Sequence, residues 1–208
     1  MENNVVLIGF MGAGKTEVGL LLAEKWGYNF VDLDYIAESR EGMTINEIFK
    51  QKGEAYFRDV ENKILKDFKK NKNNILSFLK EEQKGSDFKS DPFFLKSGNL
   101  IINGEDKYWV ISTGGGMPVY KNNMEILKKL GYTIYLKACG KTIYQRIRAE
   151  KNRPVLGING FSEKDIKNKL DERERFYEKA DIIIYTDGLS PQSVAEEIDI
   201  FEKIKVYF

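Results

Sequence analysis

The sequence predicts an α/β protein built on a mostly parallel sheet. Three observations carry that expectation: five short apolar runs of the kind buried on both faces, helical stretches between them, and a glycine-rich loop directly after the first run. Residues 5–9 (VVLIG) form the first strand. The following helix, residues 15–26, gathers Val18, Leu21, Leu22 and Trp26 on one side. Residues 29–33 (NFVDL) read as the second strand. Thr44, with Glu47 three residues on, forms a capping box that opens a short helix, and another helix runs from about residue 54 to residue 68. Residues 71–107 mix lysines, turn signals at Gly85-Ser86 and Asn103-Gly104, an Asp91-Pro92 break, and apolar patches at 75–79, 93–95 and 100–102. A helix plus a β-hairpin is expected there. Residues 108–112 (YWVIS) are the third strand, running into Thr113-Gly114-Gly115-Gly116, and a helix follows Pro118. Residues 132–136 (YTIYL) are the fourth strand. A helix over residues 142–150 leads to a loop at 151–161. Ser162 with Asp165 caps a charged helix reaching about residue 179. Residues 181–185 (DIIIY) are the fifth strand, and Ser190-Pro191 opens the last helix with proline at its favoured first position. No internal repeat is visible, and residues 1–208 read as one domain.

Composition removes several classes of function. Apolar residues make up 42% and charged residues 31%, enough to build a core and too apolar for a wholly disordered chain. Lys+Arg number 33 against 32 Asp+Glu, a net charge of +1, so neither nucleic acid nor a membrane surface is an expected partner. No apolar run is long enough to span a bilayer. Cys139 is the single cysteine and histidine is absent. That excludes an intramolecular disulfide, a zinc site built on Cys or His, and any histidine base or triad. Acid–base work falls to Asp, Glu, Lys or Tyr. The residues before the first strand carry no cationic segment, so a secretory signal is not expected and a reducing cytoplasm is.

In an open α/β sheet the ligand lies at the carboxyl ends of the strands, so the polar residues after each strand are where chemistry is sought. After the first strand, Gly9 to Thr16 (GFMGAGKT) satisfies G-x-x-x-x-G-K-[ST] in its confirming strand–loop–helix context. Glycines let backbone N–H groups converge on one point, and the helix N-terminus adds partial positive charge. Lys15 then reaches the β- and γ-phosphates of a nucleoside triphosphate, and the Thr16 hydroxyl ligates Mg²⁺. No N-K-x-D element of a guanine-reading switch protein comes directly after any of the later strands.

The second strand ends in Asp32-Leu33-Asp34. At period 2, both carboxylates are expected on one side of the sheet, one toward magnesium and Asp34 toward an acceptor hydroxyl as base. Arg58 and Glu61, three apart on a helix, share a face and can pair. Gly114, Gly115 and Gly116 allow close backbone approach to a small molecule. Seven of the 33 cations are arginine, so each arginine marks a candidate site for a rigid fork of donors. Arg153-Pro154 in the 151–161 loop suits a lid that brings a cation to the γ-phosphate and excludes water. Arg146, on the preceding helix, can stack on adenine.

Together GFMGAGKT, DLD at 32–34, FRDVE at 57–61, STGGG at 112–116, NRPVL at 152–156 and ERERFY at 172–177 resemble the shikimate kinase family, over residues 1 to about 70 and about 108 to 205. The resemblance implies a three-layer nucleoside-monophosphate-kinase type of P-loop fold with a five-stranded parallel sheet in order 2-3-1-4-5 and a lid. It implies the reaction of ATP with shikimate to give ADP and shikimate 3-phosphate, a step in aromatic amino-acid synthesis, with Mg²⁺ as cofactor. On that likeness Lys15, Asp34 and Arg153 are catalytic. Gly12, Ala13, Gly14, Lys15, Thr16, Glu17, Arg146, Arg153 and Pro191 bind ATP, and Thr16 and Asp32 serve the metal. Asp34, Phe49, Phe57, Arg58, Glu61, Gly114, Gly115, Gly116 and Arg173 form the shikimate site.

Three departures stand out. Glu17 replaces the family's usual second hydroxyl. ERERFY lacks the usual proline before its aromatic pair, which leaves Arg173 and Arg175 both open as carboxylate clamp. Residues 72–107 are inserted beside the acceptor side, where they can cover the pocket, form a dimer contact in a chain otherwise expected to be monomeric, or do nothing catalytic. Two rivals remain on the same residues: a kinase of another small polyol such as gluconate, and a non-catalytic relative.

Overall fold

The computed structural model describes residues 3–82, 100–102, 108–149 and 162–205. One sheet contains β1 (Val5–Ile8), β2 (Asn29–Asp32), β3 (Leu100–Ile101), β4 (Trp109–Ser112), β5 (Tyr132–Lys137) and β6 (Ile182–Tyr185), in spatial order β3-β2-β4-β1-β5-β6. With β3 set aside, the other strands run parallel in the order 2-3-1-4-5 that the resemblance implied. The expectation of five strands is corrected by β3, which pairs antiparallel with β2 through Phe30–Ile101 and Val31–Leu100. A strand of two residues has no periodicity to read, and it forms only because β2 offers an edge. The second apolar patch of the expected hairpin, residues 93–95, lies outside the described residues, as does the 151–161 loop with Arg153.

The helices are α1 (Lys15–Trp26), α2 (Leu33–Glu41), α3 (Ile45–Lys70), α4 (Ile75–Glu82), α5 (Asn123–Leu130), α6 (Gly140–Ala149), α7 (Glu163–Tyr177) and α8 (Pro191–Lys205), with a 3₁₀ turn at Met117–Val119. Along each strand the side chains alternate between two cores, as the strand period dictates. Val6, Ile8, Val31, Ile111 and Tyr135 pack under α2 to α7. Val5, Leu7, Phe30, Val110 and Ile134 pack under α1 and α8. The result is three layers. No helix among the described residues is long and apolar enough to cross a membrane.

Two local features bear on the site. Helix α2 begins where the sequence suggested more strand. Asp32 is its N-cap, accepting the Asp34 N–H at 3.0 Å, and Gly42 closes it at φ 62°. The Thr44–Glu47 capping box opens α3 as predicted. The two helices read around residue 53 are one span kinked at Gly53, whose φ of 82° and ψ of 166° leave the helical region.

Candidate active site

The phosphate loop joins β1 to α1. Gly12 and Gly14 hold φ of 73° and 89°, conformations that side chains with a Cβ resist. The loop is therefore free to turn its N–H groups inward at the head of α1. Lys15 is 8% exposed, and its ammonium donates to the Phe10 carbonyl at 2.9 Å. Thr16 Oγ1 donates to Asp32 Oδ2 at 2.7 Å, so hydroxyl and carboxylate form one pair of oxygens beside the loop. Ala13 packs into the α1/α8 core and can serve a nucleotide only through its backbone. Glu17 is exposed on the first turn of α1.

Arg146 on α6 closes the loop's other side. Its Nη2 donates to the Thr186 carbonyl at 2.7 Å and its Nη1 to Thr186 Oγ1 at 3.2 Å, with longer contacts to the Gly12 and Ala13 carbonyls. The edge of the guanidinium thus ties the segment after β6 to the phosphate loop, and a stack on adenine would have to use its face. Pro191 heads α8 five residues beyond Thr186, with Ser190 Oγ accepting the Ser193 N–H as cap. No hydrogen bond or ion pair among the described residues ties it to the loop.

The acceptor side assembles around the three glycines after β4. Each leaves space for a different group. A Cβ on Gly114 would strike Asp34 Oδ1 and Glu61 Oε1. One on Gly115 would press on the Met11 amide of the phosphate loop at 3.0 Å. One on Gly116 would fall on the Arg58 guanidinium. Asp34, Glu61, Arg58 and the phosphate loop therefore meet over one tripeptide. The period-2 reason given for Asp32 and Asp34 is corrected: Asp32 ends β2 and Asp34 lies in the first turn of α2. The cap, rather than strand alternation, sets the two carboxylates side by side.

Among the described residues, Asp34 Oδ1 and Glu61 Oε1 are buried without a hydrogen-bond partner. Burial, then the charges of Asp32 and Glu61, push the Asp34 carboxyl up to about 8, against the pull of Lys15 and Arg58. Burial also holds the Glu61 carboxyl above its ordinary range, although Arg58 Nη1 donates to its Oε2 at 2.6 Å. For Arg58, burial opposes the charge, but Glu61 and Glu54 outweigh it and raise its basicity. Arg58 Nη2 and Nε donate to Glu54 Oε1 at 2.9 and 3.3 Å. Its guanidinium also lies 5.8 and 5.5 Å from the rings of Phe49 and Phe57, themselves 5.0 Å apart.

From α7, Arg173 lies over the Phe10 ring at 5.3 Å and acts electrostatically on Glu54 and Glu61. Arg175 is exposed and lies over Phe176. Of the two candidates for the clamp, only Arg173 faces the cleft.

Three supports were not read from the sequence. Thr113 donates its hydroxyl and its N–H to the Leu7 carbonyl at 3.0 and 3.2 Å, locking the glycine loop to β1. Asn123 Nδ2 donates to the Met117 carbonyl at 2.9 Å while accepting from Asn62 on α3. Tyr177 donates to the Gly115 carbonyl at 2.5 Å. Only Tyr177 left a signal, its spacing of four residues from Arg173 on one helix face.

A phosphate loop on a parallel sheet, facing a cleft with a base candidate and two arginines, defines the P-loop phosphotransferase class. The family model for shikimate kinase matches residues 11–78 and 100–202. The chain belongs to the shikimate kinase family. It is 40% identical over 195 residues to a shikimate kinase of Thermodesulfovibrio yellowstonii, covering 94% of this chain and 92% of that one. It is 36% identical to one of Persephonella marina, covering 94% and 96%. Among solved structures it resembles the Acinetobacter baumannii shikimate kinase in complex with shikimate, with a TM-score of 0.75, 29% identity, and 98% and 94% of the two chains covered. A gluconokinase from Sinorhizobium meliloti, 12% identical with a TM-score of 0.52, shares the fold alone.

Proposed function

We propose that this chain transfers the γ-phosphoryl group of ATP to the 3-hydroxyl of shikimate, giving shikimate 3-phosphate and ADP. The observation that carries the reading is the meeting of two buried, partnerless carboxylate oxygens, Asp34 Oδ1 and Glu61 Oε1, at Gly114, beside Arg58 and in contact with the phosphate loop. Buried acceptors without donors call for a ligand bearing hydroxyl groups. A neighbouring guanidinium calls for one that also bears a carboxylate.

In this reading the cleft works by positioning and charge stabilisation. The amides of Gly12 to Thr16 and the Lys15 ammonium hold the nucleotide phosphates. Arg58 and Arg173 hold the acceptor carboxylate, with Phe49 and Phe57 beside the guanidinium. The hydroxyl proton passes to Asp34 as its oxygen forms the new bond to phosphorus and the bond to the ADP oxygen breaks. Because burial raises the Asp34 carboxyl to about 8, its ionised, proton-accepting form grows as pH rises toward 8, and once ionised it holds an abstracted proton better than an ordinary aspartate. A kinase of this family also requires a divalent metal. The Thr16 hydroxyl and Asp32 carboxylate, 2.7 Å apart beside the loop, are hard oxygen donors that suit Mg²⁺, which draws most of its shell from phosphate and water. When bound, it neutralises charge on the phosphates. Arg153 is assigned as the lid cation from the sequence.

The test is coupled detection of ADP with Mg-ATP and, in separate reactions, shikimate, gluconate or no acceptor. ADP release stimulated only by shikimate supports the reading. Stimulation by gluconate instead would move the chain to a polyol kinase, and binding without ADP release would mark a non-catalytic relative.

A further inference from the structure

Tyr177 takes no part in the scheme above, yet its hydroxyl reaches from α7 across the cleft floor to the backbone of the acceptor loop. The ring is fully buried and packs on Tyr135 with centroids 5.1 Å apart. Its hydroxyl donates to the Gly115 carbonyl at 2.5 Å, and the charge of Arg173, one turn back on the same helix, acts on it. Arg173 in turn lies over Phe10 of the phosphate loop. One face of α7 thus grips both loops that must stay in register during transfer.

The carbonyl that Tyr177 holds belongs to the peptide joining Gly115 to Gly116. A trans peptide is planar and its C=O and N–H point in opposite directions. Fixing the carbonyl toward α7 therefore fixes the Gly116 N–H toward the other side. Gly116 is buried, and among the described residues its N–H has no acceptor. Buried backbone donors without a partner are rare, and this one lies beside the Arg58 guanidinium. We propose that Tyr177 is a positioning residue for the acceptor: its hydroxyl pins the Gly115–Gly116 peptide so that the Gly116 N–H stands ready to donate to an oxygen of the acceptor molecule. The proposal rests on the acceptor cleft described above, and the nucleotide site does not depend on it.

The neighbouring Tyr135 supplies the control. It is also buried, but among the described residues its hydroxyl has no hydrogen-bond partner. Tyr177→Phe keeps the ring and removes the donor, while Tyr135→Phe makes the same chemical change where nothing is held. With shikimate and Mg-ATP, Tyr177→Phe should raise the KM for shikimate about 10-fold, in line with one lost positioning hydrogen bond, and leave the KM for ATP within about twofold. Tyr135→Phe should change neither. In the unsubstituted protein, the Gly116 amide resonance should shift on addition of shikimate and not of ADP, a measurement that does not depend on any variant folding. An unchanged shikimate KM in Tyr177→Phe, a parallel rise of both KM values, or a Gly116 resonance indifferent to shikimate would overturn the proposal. Absence of shikimate turnover in the unsubstituted enzyme would remove the functional reading itself, and this inference with it.

Discussion

Replacing Asp34 by asparagine should make the protein more stable and the enzyme nearly inert, and the size of the first effect follows from the site. Burial of its Oδ1, with the charges of Asp32 and Glu61 nearby, pushes the Asp34 carboxyl up to about 8 from its ordinary 3.8. Between these two values the folded state holds a proton that the unfolded chain has released. Stability therefore falls as pH rises from about 4 to about 8. At pH 7 the gap from 3.8 corresponds to roughly 4 kcal/mol, at about 1.4 kcal/mol per pH unit. Asparagine is neutral at every pH and nearly isosteric, and its amide can donate to the partnerless Glu61 oxygen. A net gain of about 1–4 kcal/mol at pH 7 is expected, or roughly 3 to 12 °C in Tm for a chain of this size. The gain should vanish near pH 4 and level off above pH 8. Thermal unfolding of both proteins by circular dichroism from pH 4 to 9 measures it. Turnover should fall by about 100-fold or more as the base is lost. No gain at pH 7, or a gain that does not change with pH, would refute the assignment of a strongly raised carboxyl at Asp34.

The remaining predictions follow from other parts of the cleft. Lys15→Ala should lower turnover by about 100-fold or more with the circular dichroism spectrum unchanged, because the ammonium sits at the loop that holds the phosphates. Gly116→Ala would drive a methyl group into the Arg58 guanidinium, and kcat/KM for shikimate in the coupled assay should drop by about 10- to 100-fold. Glu54→Gln should lower the KM for shikimate, by no more than about fivefold, because the exposed Glu54 competes for the face of Arg58 that a substrate carboxylate needs and such a pair is worth at most about 1 kcal/mol.

Much of this architecture is local and could be read from the sequence. The strands beginning at Val5, Asn29, Trp109, Tyr132 and Ile182 are apolar runs with no helical period; burial explains this for all but the last, an edge strand that is only partly buried. The capping boxes at Thr44 and Ser162 involve residues three apart, so spacing alone announces them. Helix α2 is hidden although its cap Asp32 and terminator Gly42 are both in the sequence, because D-L-D also fits the period of the strand before it. The adjacency of the two carboxylates holds either way, since a cap and a strand end both turn Asp32 and Asp34 toward the ligand edge. The edge strand β3, the Asn62–Asn123 pair and the Tyr177–Gly115 bond join residues 61 or more positions apart. No window of sequence contains both partners, and only the fold brings them together. The raised Asp34 carboxyl belongs to the same group, because it depends on how fully Gly114 and the surrounding core exclude water.

The central claim is that two separate devices hold two ligands, backbone amides for the nucleotide and a buried guanidinium for an acidic acceptor. Calorimetric titration of Arg58→Ala with shikimate and, separately, with Mg-ADP tests it most directly. The account predicts that shikimate affinity falls by about 30-fold or more, the loss of roughly 2 kcal/mol or more expected when one partner of a buried charge pair is removed, while Mg-ADP affinity stays within about twofold. Retained shikimate affinity, or equal loss of both ligands, would contradict it.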